Sequence, residues 1–208
     1  MGLGEILRLE ADGIYRVPID QGEELDGLVR LLVQRNNPMT HGFIEIGAGA
    51  GGSFHVWARC IPLGPKISID YYDVGSPDHV ERTWGKKNQR SYREIVWAHH
   101  FEDTFPIFKP SAEEATLEDV TAVLEDRQVD FLFIDGRWQD VGFNFWNYRN
   151  FVRPGGIIAV HCIHSERPDA APVRELWEHI KSLYTTAEFA YGPHRSGKRV
   201  GGTGVVFV

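Results

Sequence analysis

The sequence predicts an α/β protein: a seven-stranded, mostly parallel sheet with helices on both faces and an antiparallel hairpin at the end. Short apolar runs bounded by glycine alternate along the chain with segments of helical spacing, which is typical of strand–helix units in a parallel sheet. Residues 42–47 and 129–136 are mostly apolar without alternation, as in strands buried on both faces. The last two β segments have no helix between them, so we expect them to pair antiparallel.

The individual elements follow from local patterns. Leucines at 25, 28 and 32 predict a helix over 22–36, which Asn37-Pro38 ends, and Thr116 is a candidate N-cap for a later helix. The other predicted helices cover 53–61, 116–127, 143–152 and 173–184. The predicted strands are 42–47, 66–70, 106–112, 129–136, 157–163, 185–192 and 202–208.

Length and charge limit the class of protein. We expect one domain over 1–208, since this length buries a full core. The net charge of -7 argues against a nucleic-acid partner, which would need a surplus of Lys and Arg, and suits a cationic ligand. Two cysteines are too few for a disulfide framework, and no apolar run approaches the length of a membrane span. We therefore expect a cytoplasmic protein without a membrane partner.

Glycines at 47, 49, 51 and 52 follow the first predicted strand in the stretch "FIEIGAGAGGSF". Glycines at a strand's carboxyl end let the backbone turn tightly and approach a ligand closely. The loop fits a dinucleotide, a phosphate group or the methionine part of S-adenosylmethionine (SAM). Asp70 ends the next strand about 20 residues later, where an acid binds ribose hydroxyls, and Asp73 is an alternative for the same role. The pair predicts an adenosine-type cofactor, either NAD or SAM.

Longer motifs distinguish between these cofactors. The stretches "IEIGAGAGGS", "ISIDYYD", "KPSAEEATLEDV", "VDFLFIDGRWQDVGFNFWNYRNFVRPGGIIAVHCI" and "GTGVVFV" resemble class I SAM-dependent methyltransferases, which have a Rossmann-like fold. The similarity covers residues 22–208. It is strongest to small-molecule O-methyltransferases akin to cephalosporin hydroxylase and macrocin O-methyltransferase.

The resemblance implies a set of cofactor-binding residues. Glu45, the backbone of Gly47, Ala48, Gly49 and Gly51, and nearby Ser53 would hold the methionine part of SAM. Asp70 would bind the ribose. Ser111 and Ala112 would edge the adenine, although Pro110 stands where the family usually has an acid. Asp135 would face the methyl-transfer site.

The chain departs from the family pattern at two places. Relatives often read IDGDHSY over 134–140, and they often carry an acid after the fifth strand, where this chain has His161-Cys162. Carboxylates at these places bind Mg²⁺ in the relatives that use it, and Mg²⁺ prefers oxygen ligands. We therefore expect no metal. Zinc on Asp135, His161, Cys162 and His164 is an alternative, against which the alternation of side chains along a strand argues.

Without a metal, a hydroxyl acceptor needs a general base, and His is matched to neutral pH. His161 and His164, at the end of the fifth strand, and Asp135 are the candidate catalytic residues, with His99 and His100 behind them. His161 could equally be a hydrogen-bonded structural residue. Residues 74–105 form a long basic and aromatic insertion, which is either a lid over the acceptor or a solvated helix.

The predicted function is SAM-dependent methyl transfer to a small-molecule hydroxyl. A catalytically silent SAM-binding module and an NAD-dependent oxidoreductase are the alternatives. The sequence leaves open the acceptor, oxygen or nitrogen as the methylated atom, and assembly into a homo-oligomer.

Overall fold

A computed structural model describes residues 22–34, 39–48, 51–70, 101–189 and 201–208. The helices are α1 (Gly22–Val33), α2 (Gly52–Cys60), α3 (Glu114–Leu124), α4 (Val141–Tyr148) and α5 (Ala171–Leu183). The strands are β1 (Phe43–Ile46), β2 (Lys66–Ile69), β3 (Thr104–Ile107), β4 (Val129–Ile134), β5 (Val152–His161), β6 (Thr186–Phe189) and β7 (Thr203–Phe207). None of the helices in these ranges has the length and apolar content that crossing a bilayer requires.

The seven strands form one mixed sheet in the order β3-β2-β1-β4-β5-β7-β6. The five strands from β3 to β5 run parallel, and β7 lies antiparallel to both β5 and β6. The predicted α/β class, the seven strands and the antiparallel C-terminal pair are confirmed. The register aligns the carboxyl ends of the central strands: Ile46 of β1 lies opposite Ile69 of β2 and Ile134 of β4.

Two apolar cores lie on opposite faces of the sheet, because successive strand residues point to opposite sides. Phe131 and Phe133 of β4 pack with α1 and α2, whereas Leu132 and Ile134 pack with α3, α4 and α5. Burial of the strands on both faces explains why their sequences are apolar without alternation.

Several element boundaries differ from the predictions. β3 begins at Thr104 and ends at Ile107, so the strand predicted over 106–112 was placed too late. Pro106 lies inside this strand, which is tolerated because β3 is the edge of the sheet. The predicted N-cap, Thr116, is wrong: α3 is capped at Glu113, and the Thr116 hydroxyl is buried and donates to the Pro110 carbonyl at 2.7 Å. β5 begins at Val152 rather than 157, with Gly155 at φ 80 inside it.

Some predictions fall outside the described residues. They concern Gly49, Asp73, His99 and His100, and nearly all of the insertion predicted over 74–105. Of that insertion, residues 104 and 105 belong to β3 and are not part of a lid.

A buried ion pair closes the amino-terminal edge of the sheet, opposite the crevice. Asp130 is fully buried, accepts a hydrogen bond from Arg153 Nε at 2.5 Å, and accepts another from the backbone N–H of His41 at 2.6 Å. Removing one partner of such a pair leaves a poorly solvated charge behind.

We expect Asp130→Asn to lower the free energy of unfolding by about 3 kcal/mol, measured by urea denaturation. The matched control is Asp119→Asn. Asp119 pairs with Lys109 at 2.6 Å, but both side chains are about 40% exposed, and a pair of this kind contributes about 1 kcal/mol or less. Equal effects of the two substitutions would contradict the structural role of Asp130.

Candidate active site

The carboxyl ends of β1, β2 and β4 are tied together by backbone hydrogen bonds. Gly47 N–H donates to the Ile69 carbonyl at 2.8 Å, and Asp135 N–H donates to the Ile46 carbonyl at 2.8 Å. Gly47 has φ 89, and a Cβ placed there would lie 2.2 Å from the Asp135 carbonyl oxygen. Only glycine fits this position, because the β1 turn crosses directly against the end of β4.

A crevice open to solvent lies beyond these strand ends. It is lined by Ile46, Gly47, Ile69, Asp70, Pro110, Ser111, Gly136, Arg137 and Asp140. Three residues predicted to bind the cofactor, Gly47, Asp70 and Ser111, therefore meet in one cavity. Ala112 follows Ser111 in the turn before α3 and is not among the lining residues.

Glu45 is a carboxylic acid inside the apolar interior of β1. Its side chain is fully buried, and its Oε1 accepts a hydrogen bond from the Ser53 hydroxyl of α2 at 2.5 Å. The second oxygen, Oε2, is buried and has no hydrogen-bond partner among the described residues. A buried polar atom without a partner is costly. The nearby Trp57 indole Nε1 is also buried without a partner of good geometry in the described part of the chain, and it is close enough to lower the pKa of Glu45.

Burial raises the pKa of Glu45 to about 8, the Ser53 hydrogen bond lowers it, and the charges of Asp135 and Asp70 raise it further. The acid is therefore protonated at neutral pH, and a bound cation would favour its ionised form. Glu45 and the close-packed turn at Gly47 both fit the predicted methionine end of SAM, which carries an ammonium group. The remaining assignments in this part of the site, including Ala48 and Gly51, stay predictions.

Asp135 and His161 form a hydrogen-bonded pair at the carboxyl ends of β4 and β5. Asp135 Oδ1 lies 2.8 Å from His161 Nδ1, and the two side chains are 25% and 19% exposed. The pair forms because Ile134 lies opposite Val160 in the sheet, which places the next residue of each strand side by side. Burial lowers the pKa of His161, but the charge and hydrogen bond of Asp135 outweigh it and hold this pKa well above its ordinary value.

The thiol of Cys162 lies beside His161 because the backbone at Cys162 has an unusual conformation. Its φ is 66, unusual for a residue other than glycine, and its Sγ lies 3.4 Å from His161 Nδ1. The alternation of side chains that argued against a joint site does not apply, because Cys162 lies one residue past the end of β5.

One carboxylate, one imidazole and one thiol with donor atoms within 4.8 Å of one another could hold a metal ion. This donor set does not fit Mg²⁺, which requires oxygen ligands. The expectation that the site uses no metal stays a prediction.

His164, the other histidine predicted to be catalytic, has a different neighbour. Its Nε2 lies 2.8 Å from Glu188 Oε2 of β6, and Glu188 Oε1 accepts a hydrogen bond from the Trp177 indole at 2.6 Å. β6 lies beyond β7 at the edge of the sheet, whereas the partner of His161 lies on β4. The structure thus joins only two of the three candidate catalytic residues, Asp135 and His161.

Glu24 of α1 was missed by the sequence analysis. It is 2% exposed, and its Oε1 lies 3.7 Å from His161 Nε2 and accepts a hydrogen bond from the Thr203 hydroxyl. A signal existed in the sequence: Glu24 is four residues before Leu28 and so lies on the apolar face of its helix. Arg137 and Asp140, which line the crevice, were not predicted either, since they lie where the chain departs from its relatives.

The sheet order, the antiparallel β7 and the crevice at the carboxyl ends of β1, β2 and β4 define the class of protein as a Rossmann-like α/β methyltransferase fold. The chain belongs to the methyltransferase-domain family, whose sequence pattern matches residues 44–163. The predicted family and fold are confirmed.

Solved structures with this fold include several O-methyltransferases. The O-methyltransferase TomG from Streptomyces achromogenes, involved in tomaymycin synthesis and bound to SAM, is 17% identical; the match covers 99% of this chain and 79% of that one, with a TM-score of 0.58. An O-methyltransferase from Bacillus cereus in complex with S-adenosylhomocysteine (SAH) is 19% identical over 98% and 90%, with a TM-score of 0.62.

A Staphylococcus aureus protein, provisionally assigned as a caffeoyl-CoA O-methyltransferase, is 19% identical over 100% and 93% of the two chains, with a TM-score of 0.66. At these identities the similarity establishes the fold. A search among curated protein sequences found no significant match.

Proposed function

We propose that the protein is a SAM-dependent methyltransferase that methylates a hydroxyl group of a small molecule. The observation that carries the proposal is that three features meet at one edge of the sheet: a crevice, the buried acid Glu45 next in the chain to the crevice-lining Ile46, and the Asp135–His161 pair. Two solved structures of this fold, TomG with SAM and the Bacillus cereus enzyme with SAH, are O-methyltransferases, which supports both the cofactor and the reaction.

Each part of SAM can be assigned to residues in or next to the crevice. When bound, SAM supplies an activated methyl group on a sulfonium. Glu45 would bind the ammonium group, with Ser53 holding the carboxylate in place, and the turn at Gly47 would admit the methionine part. Asp70 would accept hydrogen bonds from the ribose hydroxyls, and Ser111 would border the adenine. Ala112, which follows Ser111 outside the crevice lining, is the other residue proposed to border the adenine.

The acceptor's proton needs a base, and the geometry favours Asp135. Both ring nitrogens of His161 face carboxyl groups, at 2.8 Å on one side and 3.7 Å on the other. A histidine held as an imidazolium is a hydrogen-bond donor and not a base. We therefore assign proton abstraction to Asp135 and the orientation of Asp135 to His161, while the proton moves from the acceptor oxygen to the free carboxylate oxygen.

Two alternatives are less well supported. An NAD-dependent enzyme of the Rossmann type has a parallel sixth strand, whereas β7 is antiparallel here. A silent SAM-binding module would have no use for the Asp135–His161 pair.

The remaining parts of the proposal concern the cellular location, the acceptor, the domain organisation and the oligomeric state. We include a cytoplasmic location, supported by two free cysteines, and a small-molecule acceptor in place of nucleic acid, supported by the net charge of -7. The single-domain organisation over 1–208 and a homo-oligomeric state belong to the same set of proposals.

Cofactor binding is the first test. We expect SAM and SAH to bind with a Kd on the order of 10 µM in titration calorimetry. At a hundredfold excess over Kd, SAM should stabilise the protein by about 2.7 kcal/mol, which corresponds to a rise in Tm of about 5–10 °C. NADH at the same concentration is the control and should give no shift. The absence of both heat and thermal shift with SAM and SAH would end the proposal.

A further inference from the structure

Glu24 is a buried carboxyl group that the proposed reaction does not yet use. It lies on α1 with 2% of its surface exposed, and Thr203 of β7 donates a hydrogen bond to its Oε1. Its Oε2 is buried and has no hydrogen bond of good geometry from the described residues. A structural contact between α1 and β7 would be made at lower cost by an apolar side chain, because burying a carboxyl group is unfavourable.

The position of Glu24 relative to His161 suggests what the group does. Glu24 Oε1 lies 3.7 Å from His161 Nε2, and Asp135 Oδ1 lies 2.8 Å from Nδ1 of the same ring. The imidazole thus lies between two carboxyl groups: Asp135, which is 25% exposed and precedes the crevice-lining Gly136, and the buried Glu24. At 3.7 Å Glu24 is beyond hydrogen-bond distance of Nε2, so its contact with the ring is electrostatic and favours the orientation in which Nδ1 faces Asp135.

We propose that Glu24 is a positioning residue for methyl transfer, which holds the imidazole of His161 from the Nε2 side so that Nδ1 stays on Asp135 and the free oxygen of Asp135 faces the acceptor. The role in catalysis rests on the proposed function. The contact between Glu24 and the ring does not depend on it.

The electrostatic surroundings agree with this geometry. Burial raises the pKa of Glu24, while His161, Thr203 and the Gly202 backbone lower it and the charge of Asp135 raises it again. The pKa of Glu24 therefore depends on His161 and Asp135, the two residues that Glu24 is proposed to position. Helix α1 carries the proposed positioning group, which gives this helix a role in the reaction besides packing.

Glu24→Gln is the test variant, because glutamine keeps the shape and still accepts the Thr203 hydrogen bond. We expect kcat to fall about tenfold while the KM for SAM and the Kd for SAH stay within about twofold. In a His161→Gln background the same substitution should change kcat by less than about twofold, since the group that it positions is already gone. Asp130→Asn is the control for a buried acid that affects stability alone, and its kcat per folded molecule should equal that of the wild type.

A second readout does not require turnover. The ¹⁵N signals of the His161 ring, assigned by comparison with His161→Gln, should shift in Glu24→Gln and stay in place in Asp130→Asn. Unchanged ring signals, or the same loss of kcat in both His161 backgrounds, would overturn the role of Glu24. Failure of the protein to bind SAM would instead overturn the proposed function. The ring signals of His161 would still show whether Glu24 contacts the imidazole.

Discussion

Replacing Glu45 by Gln is expected to make the protein more stable and at the same time to weaken SAM binding by a hundredfold or more. The two effects have one cause. Glu45 is fully buried, its Oε2 has no partner among the described residues, and burial raises its pKa from 4.5 to about 8. The side chain therefore costs folding free energy in the absence of a cation.

The cost depends on pH in a definite direction. Between pH 4.5 and about 8 the unfolded chain has lost the proton while the folded protein keeps it. The folded state then binds more protons, so the free energy of unfolding falls as pH rises through this window. The full cost above pH 8 is about 5 kcal/mol, at 1.36 kcal/mol for each pKa unit. Below pH 4.5 both states are protonated and the cost disappears.

Glutamine does not titrate, so Glu45→Gln should be more stable than the wild type at pH 8. Its unpaired amide N–H groups cost about 1–3 kcal/mol, which leaves a net gain of about 2 kcal/mol in urea denaturation. Without the carboxylate, the ammonium group of SAM loses a charge-assisted hydrogen bond in a buried place. Calorimetry should show this loss, together with a proton released on binding to the wild type alone. A variant with wild-type affinity would show that Glu45 does not meet the cofactor.

The sequence places three of the predicted cofactor-binding residues, Gly47, Asp70 and Ser111, at one crevice for a local reason, while their roles stay predictions. Glu45, the turn at Gly47 and Asp70 each sit at the end of a short buried strand, and parallel strands bring such ends to one edge. The contact between Asp135 and His161 was not predicted. It depends on the register of β4 and β5, which places the residues after Ile134 and Val160 side by side.

Other features depend on tertiary context that no local pattern carries. The strand predicted over 106–112 lies at Thr104–Ile107 because its start is set by pairing of Thr104 with Lys66 of β2, which no local pattern shows. Pro106 is acceptable there because β3 is at the sheet edge. The φ of 66 at Cys162 brings its thiol beside His161, which alternation along a strand does not allow. Glu24 contacts the end of β5 from a helix almost 140 residues earlier, so only the packing of α1 shows its neighbour.

The second large effect is expected at Asp135, the proposed base. In the wild type, Asp135 Oδ1 lies 2.8 Å from His161 Nδ1. Asparagine at this position keeps the shape of the side chain and can still accept this hydrogen bond. It cannot accept a proton from the acceptor, so kcat should fall about 10³-fold. The Kd for SAM should change by less than about tenfold, because the crevice and Glu45 remain. Asp119→Asn, the same change on the surface, is the control and should leave kcat unaltered.

The same variant provides a check on the charge of His161. The charge of Asp135 is the main reason that the pKa of His161 is raised well above 6.5 in the fold. A raised histidine pKa contributes stability that is fully present below the unfolded pKa and is lost as pH rises through the folded pKa. The stability gap between wild type and Asp135→Asn should therefore be widest at pH 6 and narrow in alkaline solution. A gap that stays constant, together with kcat within tenfold of the wild type, would remove Asp135 from the reaction and return proton abstraction to a histidine.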